Sequence, residues 1–402
     1  MHFKRRRMSP DATRVIGFTR QRAVPLLFVA GLAICAVSLI TLARAATGTA
    51  SREAEQGSLT AYALACSDNT ASAGQTVKFG RSSCTSTTPA SGQGIAWNDI
   101  KTGPGGAWHR LLDMGGGTWL RVLTVFPANG RSELEVWRSN DYARTWTKLS
   151  GVNDGQRLVD NGFLYRAPNG DILLSGRNLV GGQSYKISQW RSTDKGVTWQ
   201  REGDIDSATG NNGGLWEPYY YTLPDNKIAV MYADETRSGY SQVLVQRISG
   251  DNGTNWGTET VVVSDGAAGR PGMPAVTRMK NGQYLFAYEV CGTQGCGTFY
   301  KKSADGSSWP SGTGSRLAGQ VCGPFVATLS TGRIVITSCR VADGNNTSPI
   351  SYSDDNGSTW KTNTAAFTDA GQYGEWPALY QIGPDEIAAV AGNRIRFGNF
   401  KD

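Results

Sequence analysis

Histidine is scarce in this sequence. The 402 residues include two histidines and seven cysteines. Protein zinc sites use Cys and His ligands at short, regular spacings, and the cysteines here follow no such spacing. The motifs of a P-loop, an EF-hand and an H-E-x-x-H metalloprotease are also missing. The sequence therefore predicts no metal site and no cofactor.

The chain also lacks net charge once its first 45 residues are set aside. Of 40 Lys and Arg and 33 Asp and Glu, eight basic residues and one acidic residue fall within residues 1–45, which leaves 32 of each sign. A neutral body offers no electrostatic basis for binding a polyanion. We therefore expect no nucleic-acid partner.

The N-terminal segment combines basic residues with a long apolar run. Lys4 to Arg22 precede the apolar stretch from Ala23 to Ala43, and Ala43 and Ala45 are small. This order is typical of a secretory signal peptide at residues 1–45, and it predicts a secreted, extracellular protein with no membrane contact after cleavage. The alternative is an uncleaved anchor, since about 20 apolar residues can span a bilayer.

Six cysteines remain after Cys35, which lies in the targeting segment. An even number suits an oxidising compartment. The simplest pairing joins sequence neighbours: Cys66 with Cys84, Cys291 with Cys296, and Cys322 with Cys339. Residues 46–92 are rich in Ser, Thr and Gly. They are interpreted as a linker or as a truncated segment that resembles a carbohydrate-binding module, because so few residues cannot complete a β-sandwich.

A repeat with a period near 50 residues runs through the remainder of the chain. Five segments follow S-x-D-x-G-x-T-W or nearly so, with Asp141, Asp194, Asp251, Asp305 and Asp355 in the third position. Upstream of each lies a pair of short apolar runs around a turn, and a sixth pair closes the chain. Helical periodicity is absent after residue 46. Six such units predict an all-β chain folded as a six-bladed β-propeller over residues 93–402.

The last unit has no final hairpin, so the sequence predicts that a strand near residues 94–101 completes it. Such pairing would remove an exposed sheet edge. The repeated turn resembles the Asp-box of sialidase-type propellers, in which the aspartates have a structural role. We therefore exclude these five aspartates from the candidate site.

Propeller topology places two glutamates on one face. The start of the first strand and the end of the second strand of each unit share a face, because the two strands are antiparallel. Glu217 starts the first strand of unit three, and Glu289 ends the second strand of unit four. Glycoside cleavage needs such a carboxyl pair. The predicted substrate contacts are His109, Arg110, Asn161, Arg177, Trp216, Asp234, Tyr288, Arg340 and Trp376.

Two segments carry a more specific resemblance. "LWEPYYYTLPD" and "GRPGMPAVTRMKNGQYLFAYE" are similar to segments of the exo-α-1,5-L-arabinanases of glycoside hydrolase family 93, which are propellers of the sialidase clan. The resemblance covers about residues 93–402. It implies retention of anomeric configuration, release of arabinobiose from chain ends, and Glu217 and Glu289 as the catalytic pair. The aromatic surroundings of Glu289 favour it as acid/base and Glu217 as nucleophile.

Two other functions remain open on the sequence alone. A sialidase would need three arginines for a substrate carboxylate, which Arg110, Arg177, Arg270 and Arg340 could supply. A non-catalytic sugar-binding propeller would keep the aromatic residues without the carboxyl pair. In each case the expected partner is an oligosaccharide or polysaccharide, and the protein is expected to be a monomer.

Overall fold

The computed structural model describes residues 63–67, 75–79, 94–210, 213–339, 348–363, 365–368 and 376–401. The chain divides into two compact units, residues 1–84 and 85–402. The predicted signal peptide, Arg340 and Cys84 lie outside the described residues. Throughout the described ranges the regular structure is β-strand, and no helix long and apolar enough to cross a membrane occurs there.

In the first unit the described residues form one antiparallel hairpin. Strand β1 (Ala63–Ser67) pairs with β2 (Gln75–Phe79). This hairpin falls within the predicted linker or module-like segment.

The second unit is built from antiparallel strands in chain order. It begins with β3 (Gly94–Trp97) and β4 (Lys101–Thr102). Five four-stranded sheets follow. The first sheet contains β5 (Ala107–Gly115), β6 (Thr118–Val125), β7 (Glu133–Ser139) and β8 (Thr147–Val152), and the second contains β9 (Leu158–Arg166), β10 (Ile172–Val180), β11 (Ser184–Ser192) and β12 (Gln200–Thr209). The third contains β13 (Leu215–Thr222), β14 (Ile228–Asp234), β15 (Val243–Ser249) and β16 (Thr260–Val263), the fourth contains β17 (Arg270–Arg278), β18 (Tyr284–Cys291), β19 (Gly297–Ser303) and β20 (Ser315–Val321), and the fifth contains β21 (Phe325–Thr328), β22 (Ile334–Thr337), β23 (Ile350–Ser353) and β24 (Lys361–Asn363). The last strands are β25 (Ala378–Gln381), β26 (Glu386–Ala391) and β27 (Arg394–Lys401).

These sheets are the six blades of a β-propeller, as predicted. The innermost strands β5, β9, β13, β17, β21 and β25 contact one another in sequence, and β25 returns to β5. Blades 1 to 5 follow chain order from β5 to β24, and blade 6 contains β25 to β27. The fourth strand of blade 6 is β3, which pairs with β27 so that Gly398 faces Trp97 and Lys401 faces Gly94. The strand that closes the ring thus lies where the sequence predicted it.

The core consists of apolar layers between neighbouring blades. All seven residues of β14 are buried, including Tyr232. Alternation of apolar and polar residues is lost in such a strand, because both faces of a blade pack against the next blade. This explains the continuous apolar runs in the sequence.

In all five repeated turns the Asp carboxylate accepts the Ser hydroxyl and backbone N–H groups, and the second turn is described here as the example. The Ser192 hydroxyl donates to Asp194 Oδ1 at 2.7 Å, and Thr198 donates to Asp194 through its hydroxyl at 2.6 Å and its N–H at 2.9 Å. These donors, led by the Thr198 hydroxyl, lower the pKa of Asp194 to about 2. Trp199 donates to Ser150 Oγ at 2.9 Å and packs between blades 1 and 2. The aspartate therefore stabilises the turn and does not take part in the propeller face that carries Glu217 and Glu289.

Two of the predicted disulfides are present. Cys291 is bonded to Cys296, and Cys322 to Cys339, whose Cα atoms are 5.7 Å apart across the hairpin of blade 5. Both lie close to the face that carries Glu289. The predicted bond from Cys66 to Cys84 involves a residue outside the described ranges.

Candidate active site

One residue near the start of each innermost strand has a left-handed backbone. The six residues and their φ angles are Trp108 (50°), Asn161 (53°), Glu217 (61°), Met273 (53°), Gly323 (50°) and Trp376 (50°). In blades 1 to 4 the strand pairing shifts at this point, as at a β-bulge. A left-handed residue other than Gly costs about 1 kcal/mol or more and tends to occur at functional sites. A ring of six such residues therefore marks one face of the propeller.

Glu217 and Glu289 lie together on this face, on either side of Gly272. A methyl carbon placed on Gly272 would lie 3.2 Å from Glu217 Oε2 and 3.4 Å from Glu289 Oε1. The two oxygens can be no farther apart than the sum of these distances, about 6.6 Å. Retaining glycosidases hold their carboxyl groups about 5 to 5.5 Å apart, and inverting enzymes about 6.5 to 9.5 Å apart. The limit on this pair of oxygens is compatible with the spacing of a retaining enzyme.

Each glutamate is held by a backbone N–H of the next blade. Met273 N–H donates to Glu217 Oε2 at 2.6 Å, and Gly323 N–H donates to Glu289 Oε2 at 2.7 Å. Both N–H groups belong to left-handed residues, so the bulges supply the donors that position the carboxylates. Gly272 provides the space between them, because a side chain there would fill it.

The two carboxyl groups differ in how strongly they hold a proton. Burial, and then the negative charge of Glu217, raise the pKa of Glu289 to about 7. Burial also raises the pKa of Glu217, but the Met273 N–H, Arg177 and Arg110 oppose this rise. Burial and the charge of Glu217 therefore favour the protonated form of Glu289.

Arg177 and Trp216 form one wall beside Glu217. Arg177 donates to both carboxylate oxygens of Asp160, at 2.7 and 2.5 Å, and its guanidinium lies 3.8 Å from the centre of the Trp216 ring. The structure thus brings both predicted contacts to the site, together with Asp160, which the sequence analysis missed. Arg110 lies on another side and donates to the Trp376 carbonyl at 3.0 Å.

A second group of polar residues surrounds Gly272, and its arginine, Arg270, was considered from the sequence only as a possible sialidase arginine. Arg270 forms an ion pair with Glu235 and donates to Gln242 Oε1 at 2.7 Å, and the Gln242 amide donates to the Pro271 carbonyl at 2.8 Å. Arg270 acts to lower the pKa of Glu289, whereas Glu235 acts to raise that of Glu217. The predicted residue at this strand end was Asp234, which is buried and accepts from Thr236 within its own turn. Glu235, one residue further, belongs to the site network.

The geometry does not support Tyr288 as a substrate contact, which is what the sequence predicted. Its side chain is 0% exposed, and its hydroxyl donates to the Thr313 carbonyl. Neighbouring residues in a strand point to opposite faces of the sheet, so Tyr288 enters the core where Glu289 enters the site.

The geometry does not support His109 as a substrate contact. The ring is 2% exposed; its Nδ1 accepts from Arg121 Nε at 2.8 Å, and its Nε2 lies 3.0 Å from the Gly106 carbonyl. Burial and Arg121 hold its pKa well below the usual value. The left-handed residue of blade 1 is Trp108, so the site position lies one residue earlier than predicted. Aligning the six strand starts on their aromatic and Pro neighbours would have been the available signal.

A narrow cavity at the centre of the ring connects the remaining candidates. It is lined by Arg110, Asn161, Gly162, Phe163, Glu217, Pro218, Tyr219, Met273, Pro274, Pro324 and Phe325. Arg110, Asn161 and Glu217 were predicted site residues, and the structure brings them together here. Among the described residues, no group of three or more His, Cys, Asp or Glu side chains is arranged to hold a metal ion.

Comparison with solved structures identifies proteins of the same architecture. An α-L-arabinanase of Penicillium chrysogenum, solved with arabinobiose, is 22% identical, with a TM-score of 0.63, 77% of this chain covered and 98% of the other. The family 93 α-L-arabinofuranosidase of Fusarium graminearum, also solved with arabinobiose, is 21% identical with the same TM-score and coverage. The chain has the six-bladed propeller fold of these glycosidases.

A sialidase of the same architecture is less similar to this chain. The Hadza microbial sialidase Hz136 is 16% identical, with a TM-score of 0.57, 73% of this chain covered and 65% of the other. Neither the comparison with protein-family models nor the comparison with curated protein sequences gave a match.

Proposed function

We propose that the protein is a retaining glycoside hydrolase that acts on arabinan-type polysaccharide as an exo-α-1,5-L-arabinanase. The observation that carries this proposal is the pair Glu217 and Glu289, held within about 6.6 Å of each other around Gly272. The arabinobiose complexes of the two fungal propellers support the choice of substrate.

The raised pKa of Glu289 supports an assignment of the two roles. Glu289, whose pKa is raised to about 7, is suited to protonate the departing glycosidic oxygen. Glu217, which accepts the Met273 N–H and lies near Arg177 and Arg110, is suited to attack the anomeric carbon as a carboxylate. The covalent glycosyl ester is then released when Glu289 takes a proton from water and the water attacks the same carbon.

A sialidase activity is less well supported. It would need arginines free to bind a substrate carboxylate. Within the described ranges Arg177 is paired with Asp160, and Arg270 with Glu235. Arg110 is buried and donates to backbone carbonyls. Two of these three candidates thus already hold a carboxylate of the protein itself.

We further propose that the protein is secreted and acts outside the cell on its polysaccharide. The two disulfides support an oxidising destination, where such bonds persist.

The test is activity on a panel of glycosides with the mature protein. Linear 1,5-arabinan should release arabinobiose, whereas a sialyl glycoside should release nothing. Glu217→Gln and Glu289→Gln should each lose at least about 100-fold in kcat on arabinan, in line with losses from acid–base and nucleophilic groups. The exposed Val197→Ala is a suitable control variant. Release of sialic acid, or near-native arabinan activity in both glutamine variants, would disprove the proposal.

A further inference from the structure

Three aromatic residues form a solvent-facing group on the same face as the glutamate pair. Trp108 and Trp376 are the left-handed residues of blades 1 and 6, and Phe126 directly follows β6. The ring centres are 5.3 Å apart for Trp108 and Trp376, and 6.2 Å apart for Trp108 and Phe126. Phe126 is 64% exposed, and both tryptophans are partly exposed. We call these three residues the aromatic platform.

The aromatic platform begins next to Glu289. A methyl carbon placed on Gly323 would lie 2.8 Å from Trp376 Cδ1, and the Gly323 N–H is the group that donates to Glu289. From there the platform continues around the ring through blades 6 and 1. Glu217 lies in blade 3, on the other side of Glu289. Through Gly323 the exposed rings therefore adjoin the carboxyl group assigned as acid/base, and the two blades that carry them lie across the closed ring from the blades of the glutamate pair.

The rings of the aromatic platform are available to a ligand. The planes of the two tryptophans are inclined by 37°, and those of Trp108 and Phe126 by 57°, so the rings do not cover one another face to face. Exposed apolar groups that adjoin a functional cleft are typical of binding sites. Sugar rings present C–H faces that pack on aromatic rings, and their hydroxyl groups stay in water. Successive sugar units of a chain can therefore pack on successive, partly exposed rings of the aromatic platform.

We propose that the aromatic platform binds the leaving-group side of the substrate, namely the sugar units beyond the bond that is cleaved. This inference rests on the proposed function. The acid must reach the oxygen that departs, so the departing part of the chain lies on the side of Glu289, where the platform begins. The platform makes cleavage depend on the length of chain past the scissile bond.

The test compares a substrate that fills the aromatic platform with one that cannot. Linear α-1,5-arabinohexaose extends past the scissile bond, whereas arabinobiosyl fluoride has only fluoride on that side. For Phe126→Ala and Trp108→Ala, the ratio of kcat/KM for arabinohexaose to kcat/KM for the fluoride should fall about tenfold, which corresponds to about 1.4 kcal/mol. Val197→Ala removes an exposed apolar side chain from a turn on the opposite face and should leave the ratio unchanged.

The outcomes separate the inference from the proposed function. An unchanged ratio in both platform variants overturns the inference, and so does an equal loss on both substrates, because that places the rings on the retained side or in the fold. Phe126→Ala keeps the test valid if Trp108→Ala fails to fold, since Phe126 is largely exposed. If the unmodified protein cleaves neither substrate, the proposed function is refuted and the inference falls with it.

Discussion

Replacing Glu289 with Gln should stabilise the folded protein at pH 8 while it removes activity. The pKa of Glu289 is about 7 in the folded protein against an ordinary value of 4.5. The folded state thus binds this proton more tightly than the unfolded state. The favourable contribution is complete below about pH 4.5 and is lost as the pH rises through 7. A shift of 2.5 units corresponds to an upper limit of roughly 3 kcal/mol.

At pH 8 the folded protein is destabilised because the buried carboxyl group of Glu289 must carry a charge. Glutamine avoids this cost because it has no charge, and it keeps the shape of the side chain. Its amide oxygen can still accept the Gly323 N–H, which donates to Glu289 at 2.7 Å. Urea unfolding of the parent protein and of Glu289→Gln at pH 4 and pH 8 measures the effect. The variant should be more stable by up to about 3 kcal/mol at pH 8, and close to the parent at pH 4.

Glu133→Gln is a suitable control, since Glu133 starts β7 in blade 1, away from the pair. It should change the unfolding free energy by less than about 0.5 kcal/mol at either pH, as surface substitutions usually do. If Glu289→Gln is less stable than the parent at pH 8, burial does not disfavour the charged form of Glu289, and the raised pKa of this residue is contradicted.

Three further predictions concern the same site. Gly272→Ala should lower kcat at least about tenfold, since its methyl group would lie 2.9 Å from Gln242 Nε2, 3.2 Å from Glu217 Oε2 and 3.4 Å from Glu289 Oε1; unchanged kinetics would show that the space is not used. The pH profile of kcat/KM should fall on the alkaline side near pH 7, where Glu289 loses its proton, and an alkaline limit above pH 9 would exclude it as the acid. Arg177→Met should cost about 3 to 5 kcal/mol of stability in urea unfolding, because it leaves Asp160 buried without its partner, and adding Asp160→Asn should recover most of that loss; an equally unstable double variant would contradict this.

The blade number and the ring closure could be predicted because the same turn, with its own hydrogen bonds, recurs from blade to blade. In all five turns the Ser hydroxyl donates to the Asp carboxylate, as Ser192 does to Asp194, so these two positions recur in each copy and mark the repeat in the sequence. The last blade lacks that turn, and the unpaired strand at Gly94–Trp97 was the available partner. The hydrogen bonds of the repeated turn and the need to cover a sheet edge were therefore sufficient to predict the blade number and the ring closure.

The individual site residues were harder to predict because they depend on single-residue shifts. The bulge in β5 makes Trp108, and not His109, the left-handed residue of blade 1. At the end of β14 the residue that joins the network around Gly272 is Glu235, whereas its neighbour Asp234 is hydrogen-bonded within its own turn. A one-residue shift reverses the face to which a strand side chain points, and repeat spacing does not resolve it. The burial of Tyr288 could have been predicted, since strand alternation makes its side chain point to the face opposite that of Glu289.

The most direct test of the catalytic pair is azide rescue of Glu217→Ala and Glu289→Ala with an activated aryl arabinoside. Azide added to Glu289→Ala should attack the intermediate already formed on Glu217 and give a glycosyl azide of retained configuration. With Glu217→Ala, azide should attack the substrate directly and give the inverted glycosyl azide. The configurations are read by NMR. The reverse assignment of the two products would exchange the roles, and near-native turnover of both variants without azide would contradict the assignment of these glutamates altogether.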